Sequence, residues 1–131
     1  MPFHIRAGIL RVIVAIVLAG CATGRTARAE IIGGLAAAEP QPGAEQLAPG
    51  LAVQYTYAIM NHVDDMKGRK FEAGSPILHL DWRMGEGIVL TSRAREGVGA
   101  VLTGFLLFDK PGTYGFEVTS NDGVRLEIGT S

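Results

Sequence analysis

One cysteine, Cys21, stands in 131 residues. A lone thiol closes no internal disulfide and leaves no Cys-x-x-Cys pair for a metal or a redox couple. Histidine is scarce too, at three. His62 and His79 lie far apart, and a zinc site wants three or four His or Cys ligands at suitable spacing. Charge of one sign is missing: the formal net charge is −1. Lys67, Arg69 and Lys70 form the sole basic cluster, so no electrostatic footprint for nucleic acid exists, and the cluster reads as a solvated loop. No Gly-rich phosphate loop opens a helix. Neither Ser92 nor Ser120 lies in a nucleophile-elbow motif. No pair of carboxylates stands out for glycoside hydrolysis. The eighteen glycines are spread through turns and strands, where backbone geometry accounts for them. The chain therefore carries no catalytic signature, and we read it as a non-enzyme.

What is present begins at the N-terminus. Arg6 and Arg11 precede an apolar run, Val12 to Leu18. A basic start followed by a short apolar run predicts an export signal over 1–20, helical in form. The run falls short of the about 20 apolar residues of a bilayer-spanning helix. Leu18-Ala19-Gly20-Cys21 resembles a bacterial lipobox, which implies cleavage before Cys21 and lipidation of that residue. Ordinary cleavage after Ala27-Arg28-Ala29 is the competing reading. The expected location is the bacterial cell envelope, with a lipid anchor in the membrane, or else the periplasm or the medium. Stable attachment by acyl chains takes about two signals. Removal of 1–20 takes away two arginines and no acid, which leaves ten basic against thirteen acidic residues, a net of −3. Positions 21–48 are rich in Ala, Gly, Pro, Glu and Gln. Glu39-Pro40-Gln41-Pro42-Gly43 fits neither a helix interior nor a central strand. This stretch reads as a flexible, disordered tether.

The folded part is expected over 49–131. Leu51, Val53, Tyr55, Tyr57 and Ile59 alternate with smaller or polar residues, the period of a half-buried strand. Shorter strands are expected at Ile77–Trp82 and Ile88–Thr91. Ala100–Phe108 is apolar and strand-like. Tyr114, Phe116 and Val118 form one ladder; Val124, Leu126 and Ile128 form another. Lys110-Pro111-Gly112-Thr113 suits a type II turn. Thr119-Ser120-Asn121-Asp122-Gly123 suits a hairpin loop, since Asn, Asp and Gly tolerate positive φ. Three consecutive antiparallel strands follow from this reading, and the whole predicts an all-β antiparallel sandwich or barrel. His62, Asp64 and Asp65, with His79 and Asp81 sharing a strand face, make a polar cluster read as loop and solvent-facing strand. Asn121 and Asp122 are the candidate metal ligands, because calcium takes oxygen donors and these two are adjacent at a loop tip. The same residues also serve simply to make the turn.

Gly112-Thr113-Tyr114-Gly115-Phe116 followed by Ser120-Asn121-Asp122-Gly123-Val124-Arg125-Leu126 resembles the protective-antigen-type (PA-fourteen) domain. Pro49-Gly50-Leu51-Ala52-Val53-Gln54-Tyr55 resembles its first strand. The resemblance implies a β-sandwich, incomplete because further strands follow this hairpin in the family. It also implies glycan binding, calcium-assisted in some members through an Asp-Asp pair. Here Asn121 replaces the first Asp. A neutral amide lowers the charge of the site and weakens calcium. The function expected is an exported, non-catalytic module that binds a glycan or another cell-surface component. The alternatives are a structural or protein-interaction module of an envelope lipoprotein, or a truncated product without independent function.

Overall fold

The computed structural model describes residues 2–5, 8–18, 32–35, 40–83, 86–120 and 122–129. Eight strands run in chain order: β1 (Pro2–Ile5), β2 (Gly8–Leu18), β3 (Ile32–Leu35), β4 (Ala52–Tyr57), β5 (Glu72–Ala73), β6 (Val98–Phe108), β7 (Gly112–Gly115) and β8 (Val124–Gly129). The helical pieces among the described residues are two 3₁₀ turns, Ala44–Gln46 and Val63–Met66. The fold is all-β, as expected. The strands make a three-stranded sheet, β3-β1-β7, and a five-stranded sheet, β5-β4-β6-β2-β8. The β1–β3 pair is parallel and every other pair antiparallel.

β6 organises the larger sheet. Val98, Ala100 and Leu102 are fully buried and meet Val53 and Tyr55 of β4, Ile77 and Val89. Val124, Leu126 and Ile128 of β8 pack against this core at alternate positions, while Arg125 and Glu127 stay exposed. The opposite face of β6 is covered as well. Val101 packs on a second cluster, Met60 together with Val63 and Met66 of the second 3₁₀ turn. A strand covered on both faces reads as a continuous apolar run instead of an alternating one, which is the pattern of Val98–Leu102. Gly99 makes the close approach possible. A Cβ there would lie 2.7 Å from the Met66 sulfur, 2.8 Å from the Met60 methyl and 2.9 Å from a Thr56 methyl. Beyond Thr103 the second face opens, and Phe105 and Leu107 are exposed.

Three expectations are corrected here. Gly8–Leu18 is a strand where a helical form was expected. Val12, Ile13, Val14, Ile16 and Val17 are β-branched, stiff at χ1 and suited to a pleated surface. All of β2 lies opposite all of β6 in one unbroken register. The expected β6–β7–β8 succession is also absent. β2 takes the edge of β6 and pairs with β8 on its far side, so β7 joins the other sheet through β1. An eleven-residue partner gives β6 far more ladder bonds than the four-residue β7 could. Gly112 accordingly begins β7 and is not among the positive-φ glycines of the described residues. Finally, 77–83 and 88–91 are irregular. Only the Leu51–Ile77 bridge survives, with paired bonds of 2.9 Å, while Leu78, Leu80 and Ile88 point outward. Of the expected tether, Ile32–Leu35 is strand β3, and 40–48 carries one 3₁₀ turn. The rest of the tether lies outside the described residues.

Filling the space at Gly99 should overpack the second face. Gly99→Ala is expected to destabilise the protein by about 1–3 kcal/mol, and Leu102→Ala by about 2–5 kcal/mol through the cavity it leaves. Urea denaturation measures both. A neutral Gly99→Ala would contradict the two-sided packing of β6.

Candidate functional site

The expected metal ligands fare unevenly. Asn121 lies outside the described residues, as does Cys21. Asp122 is half-buried, and its backbone N–H donates to the Ser120 hydroxyl at 3.4 Å. The described part of this loop thus supplies one carboxylate for a cation that takes six to eight oxygens. No group of three or more His, Cys, Asp and Glu side chains among the described residues is placed to hold a metal ion. No helix among them is long and apolar enough to cross a membrane, which says nothing of strands.

His62, Asp64 and Asp65 do come together, as a capped turn. The His62 Nδ1 accepts the Asp64 N–H at 3.1 Å. The Asp65 carboxylate accepts the N–H of Asn61 at 2.9 Å and of His62 at 3.1 Å. These bonds satisfy the orphan donors at a helical start. Asp64 meets the Lys67 ammonium at 2.8 Å and the Arg125 guanidinium of β8 at 3.2 Å. The hydrogen bonds from Lys67 and then Arg125 hold the Asp64 carboxyl below its usual range. For Asp65 the Asn61 amide, then the His62 amide, does the same. His79 and Asp81 sit on an exposed, irregular segment instead of a strand face.

An open, shallow recess lies elsewhere, at the β4–β5 edge. Thr56 and Tyr57 of β4, Glu72 of β5, and the loop residues Arg69, Lys70 and Arg93 line an open pocket of about 320 Å³. Arg93 lies over the Tyr57 ring, its guanidinium carbon 4.0 Å from the centroid. The same guanidinium binds the Glu72 carboxylate. A cation over an aromatic face is held by the ring quadrupole, and arginine adds a planar fork for a carboxylate.

The loop carrying Arg93 is fixed from below. Val89 is fully buried. Leu90 adopts a left-handed φ of 49°, a costly conformation for a residue with a branched side chain. The Tyr55 phenol holds the next residue. Its oxygen lies 2.8 Å from the Thr91 hydroxyl and accepts the Thr91 N–H at 3.0 Å. The Thr91 hydroxyl donates to the Ser75 carbonyl at 2.8 Å. The Arg93 N–H donates to the Tyr57 hydroxyl at 3.4 Å. Two tyrosines of one strand thus hold a loop 36 residues away. Arg69 is steadied by its Nε donating to the Asp65 carbonyl at 2.7 Å.

Sequence reasoning placed Arg69 and Lys70 in a solvated loop; both are exposed, and both also face this recess. It missed Tyr57, Glu72 and Arg93. The available signal was a strand tyrosine beyond the buried Tyr55 and one of the two arginines in the 92–97 loop. Protein-family models, curated proteins and solved structures yield no match to the chain.

The capped turn makes a pH prediction. A carboxyl whose pKa is lowered on folding stabilises the fold fully above the unfolded value, about 3.9 for Asp. That stabilisation fades as pH falls through the folded value. Amide-exchange protection of 63–67 should therefore be flat from about pH 5 to 8 and decline below about pH 4. Side-chain carboxyl NMR should place both midpoints below the ordinary Asp value. Midpoints at or above it would contradict the capping bonds.

Proposed function

We propose that this chain is an exported, non-catalytic module that binds carbohydrate at cell surfaces. In this reading it is an antiparallel β-sandwich of the protective-antigen type that works at the cell envelope. The observation that carries the binding role is the recess at Tyr57, where an aromatic ring, a stacked arginine, a carboxylate and a lysine converge on an open edge. Convergent polar groups around an aromatic wall are the usual make-up of a ligand site. Its openness suits an extended polymer, which needs to enter and leave sideways, more than an enclosed small molecule. The charged groups have partners or face solvent, so they serve for orientation and hydrogen bonding.

The exposed side chains of Leu78, Leu80 and Ile88 favour a second reading, a protein-interaction module, because large apolar side chains left in solvent suit a docking surface. One experiment separates the two. Purified protein is tested for retention on insoluble cell-envelope polysaccharide, with Tyr57→Ala and Leu80→Ser as variants. The carbohydrate reading expects retention that Tyr57→Ala weakens about tenfold or more and that Leu80→Ser leaves intact. Absence of retention, or retention indifferent to Tyr57, would reject it.

A further inference from the structure

We propose that the Tyr57 recess takes an acidic sugar, bound through its carboxylate by Lys70, Arg69 and Arg93. This rests on the carbohydrate-binding reading and adds the charge of the ligand. Three cations and one carboxylate line the recess. Glu72 is engaged by Arg93 and Arg69 lies near the Asp65 carboxylate, which leaves Lys70 as the cation with least compensation in the recess. Lys70 has no partner among the described residues and is exposed. Arg69 spends its Nε–H on the Asp65 carbonyl and keeps its other donors. This local excess stands on a chain whose overall charge is −1. General attraction of polyanions is therefore not expected, and a local cluster must supply it.

The chemistry of the occupant is foreshadowed by Glu72. One Arg93 nitrogen, Nη1, holds the Glu72 carboxylate while the guanidinium lies over Tyr57, and its remaining N–H donors are left for a second carboxylate. Charge-assisted bonds of this kind are the strong ones, and a preset guanidinium loses little freedom when it makes them. The buried Val89, the left-handed Leu90 and the Tyr55–Thr91 bonds keep the loop from relaxing. Glu72 also sets a limit. A phosphate brings more negative charge beside this carboxylate than a single sugar carboxylate does, and like charges at short range are unfavourable. The recess therefore suits a uronic-acid unit better than a phosphorylated group.

The test titrates the purified full-length protein with polygalacturonate, with its methyl-esterified form and with poly-glutamate. Binding to polygalacturonate alone is expected, weakening as salt rises. Lys70→Glu should lower that affinity about tenfold or more. Arg93→Lys keeps the charge but loses the fork, and it should weaken binding as well. Lys70 is exposed, so its variant should melt at the wild-type temperature. Equal binding of the methyl ester would overturn the acidic ligand and leave the carbohydrate reading standing. Equal binding of poly-glutamate would overturn the sugar in favour of an acidic peptide. Binding to none of the three would remove both.

Discussion

The structure depends on one demand: the apolar strand Val98–Leu102 must be covered on both faces. On one side Val53, Tyr55, Ile77 and Val89 do this. On the other the cover is Met60 and the short turn bearing Val63 and Met66. A turn that short cannot hold itself together by helical hydrogen bonds. His62 and Asp65 therefore close its start, and Asp64 ties it to Lys67 and to Arg125 of the last strand. Gly99 gives up a side chain so that the methionines can approach. The chain then leaves the turn through Arg69 and Lys70, which brings both to the sheet edge beside Tyr57. The placement of the basic residues is thus a consequence of how the core is closed.

A second constraint sets the other wall of the recess. Tyr55 is buried, and its phenol needs a partner. It finds Thr91, and no side-chain nitrogen or oxygen buried among the described residues lacks a hydrogen bond. Satisfying that phenol pins the loop, accommodates the left-handed Leu90 and delivers Arg93 to Tyr57. One strand residue meets the polar requirement of the core while its neighbour on the same face, two positions on, presents the site. Core and site share their supports, so loss of the Tyr55 hydroxyl would loosen both.

The strands were legible where period two was long enough to fix a face. Val53 and Tyr55 turned inward as their alternation required, and Val124, Leu126 and Ile128 did the same, but the Tyr114–Val118 ladder stops with β7 at Gly115, and Val118, like Ile59, is exposed. Where the run was short the pattern misled. Leu78, Leu80 and Ile88 looked like strand positions but point to solvent, because those segments are anchored by Ile77, Trp82, Val89 and Leu90 without strand pairing beyond the Leu51–Ile77 bridge. Strand pairing was not legible at all. Which strand lies beside Val98–Phe108 is settled by competition for an edge, and an eleven-residue β-branched run outbids a nearby hairpin. The recess was hidden for a related reason. Tyr57 and Arg93 are remote in the sequence and meet only because two phenols bond across that gap. The basic character of Arg69 and Lys70 was visible, but nothing in their spacing said which surface they would face.

The central claim is that the recess at Tyr57 is the ligand site and that Arg93 is its preset carboxylate-binding group. The most direct measurement is an NMR titration with a short galacturonate oligomer, following the Arg93 side-chain N–H and the Tyr57 ring. The account predicts saturable shifts of these two, of Lys70 and of Glu72, with the amides of Asp122 and Gly123 unmoved. Shifts centred on the 119–123 loop, with Arg93 and Tyr57 still, would contradict it.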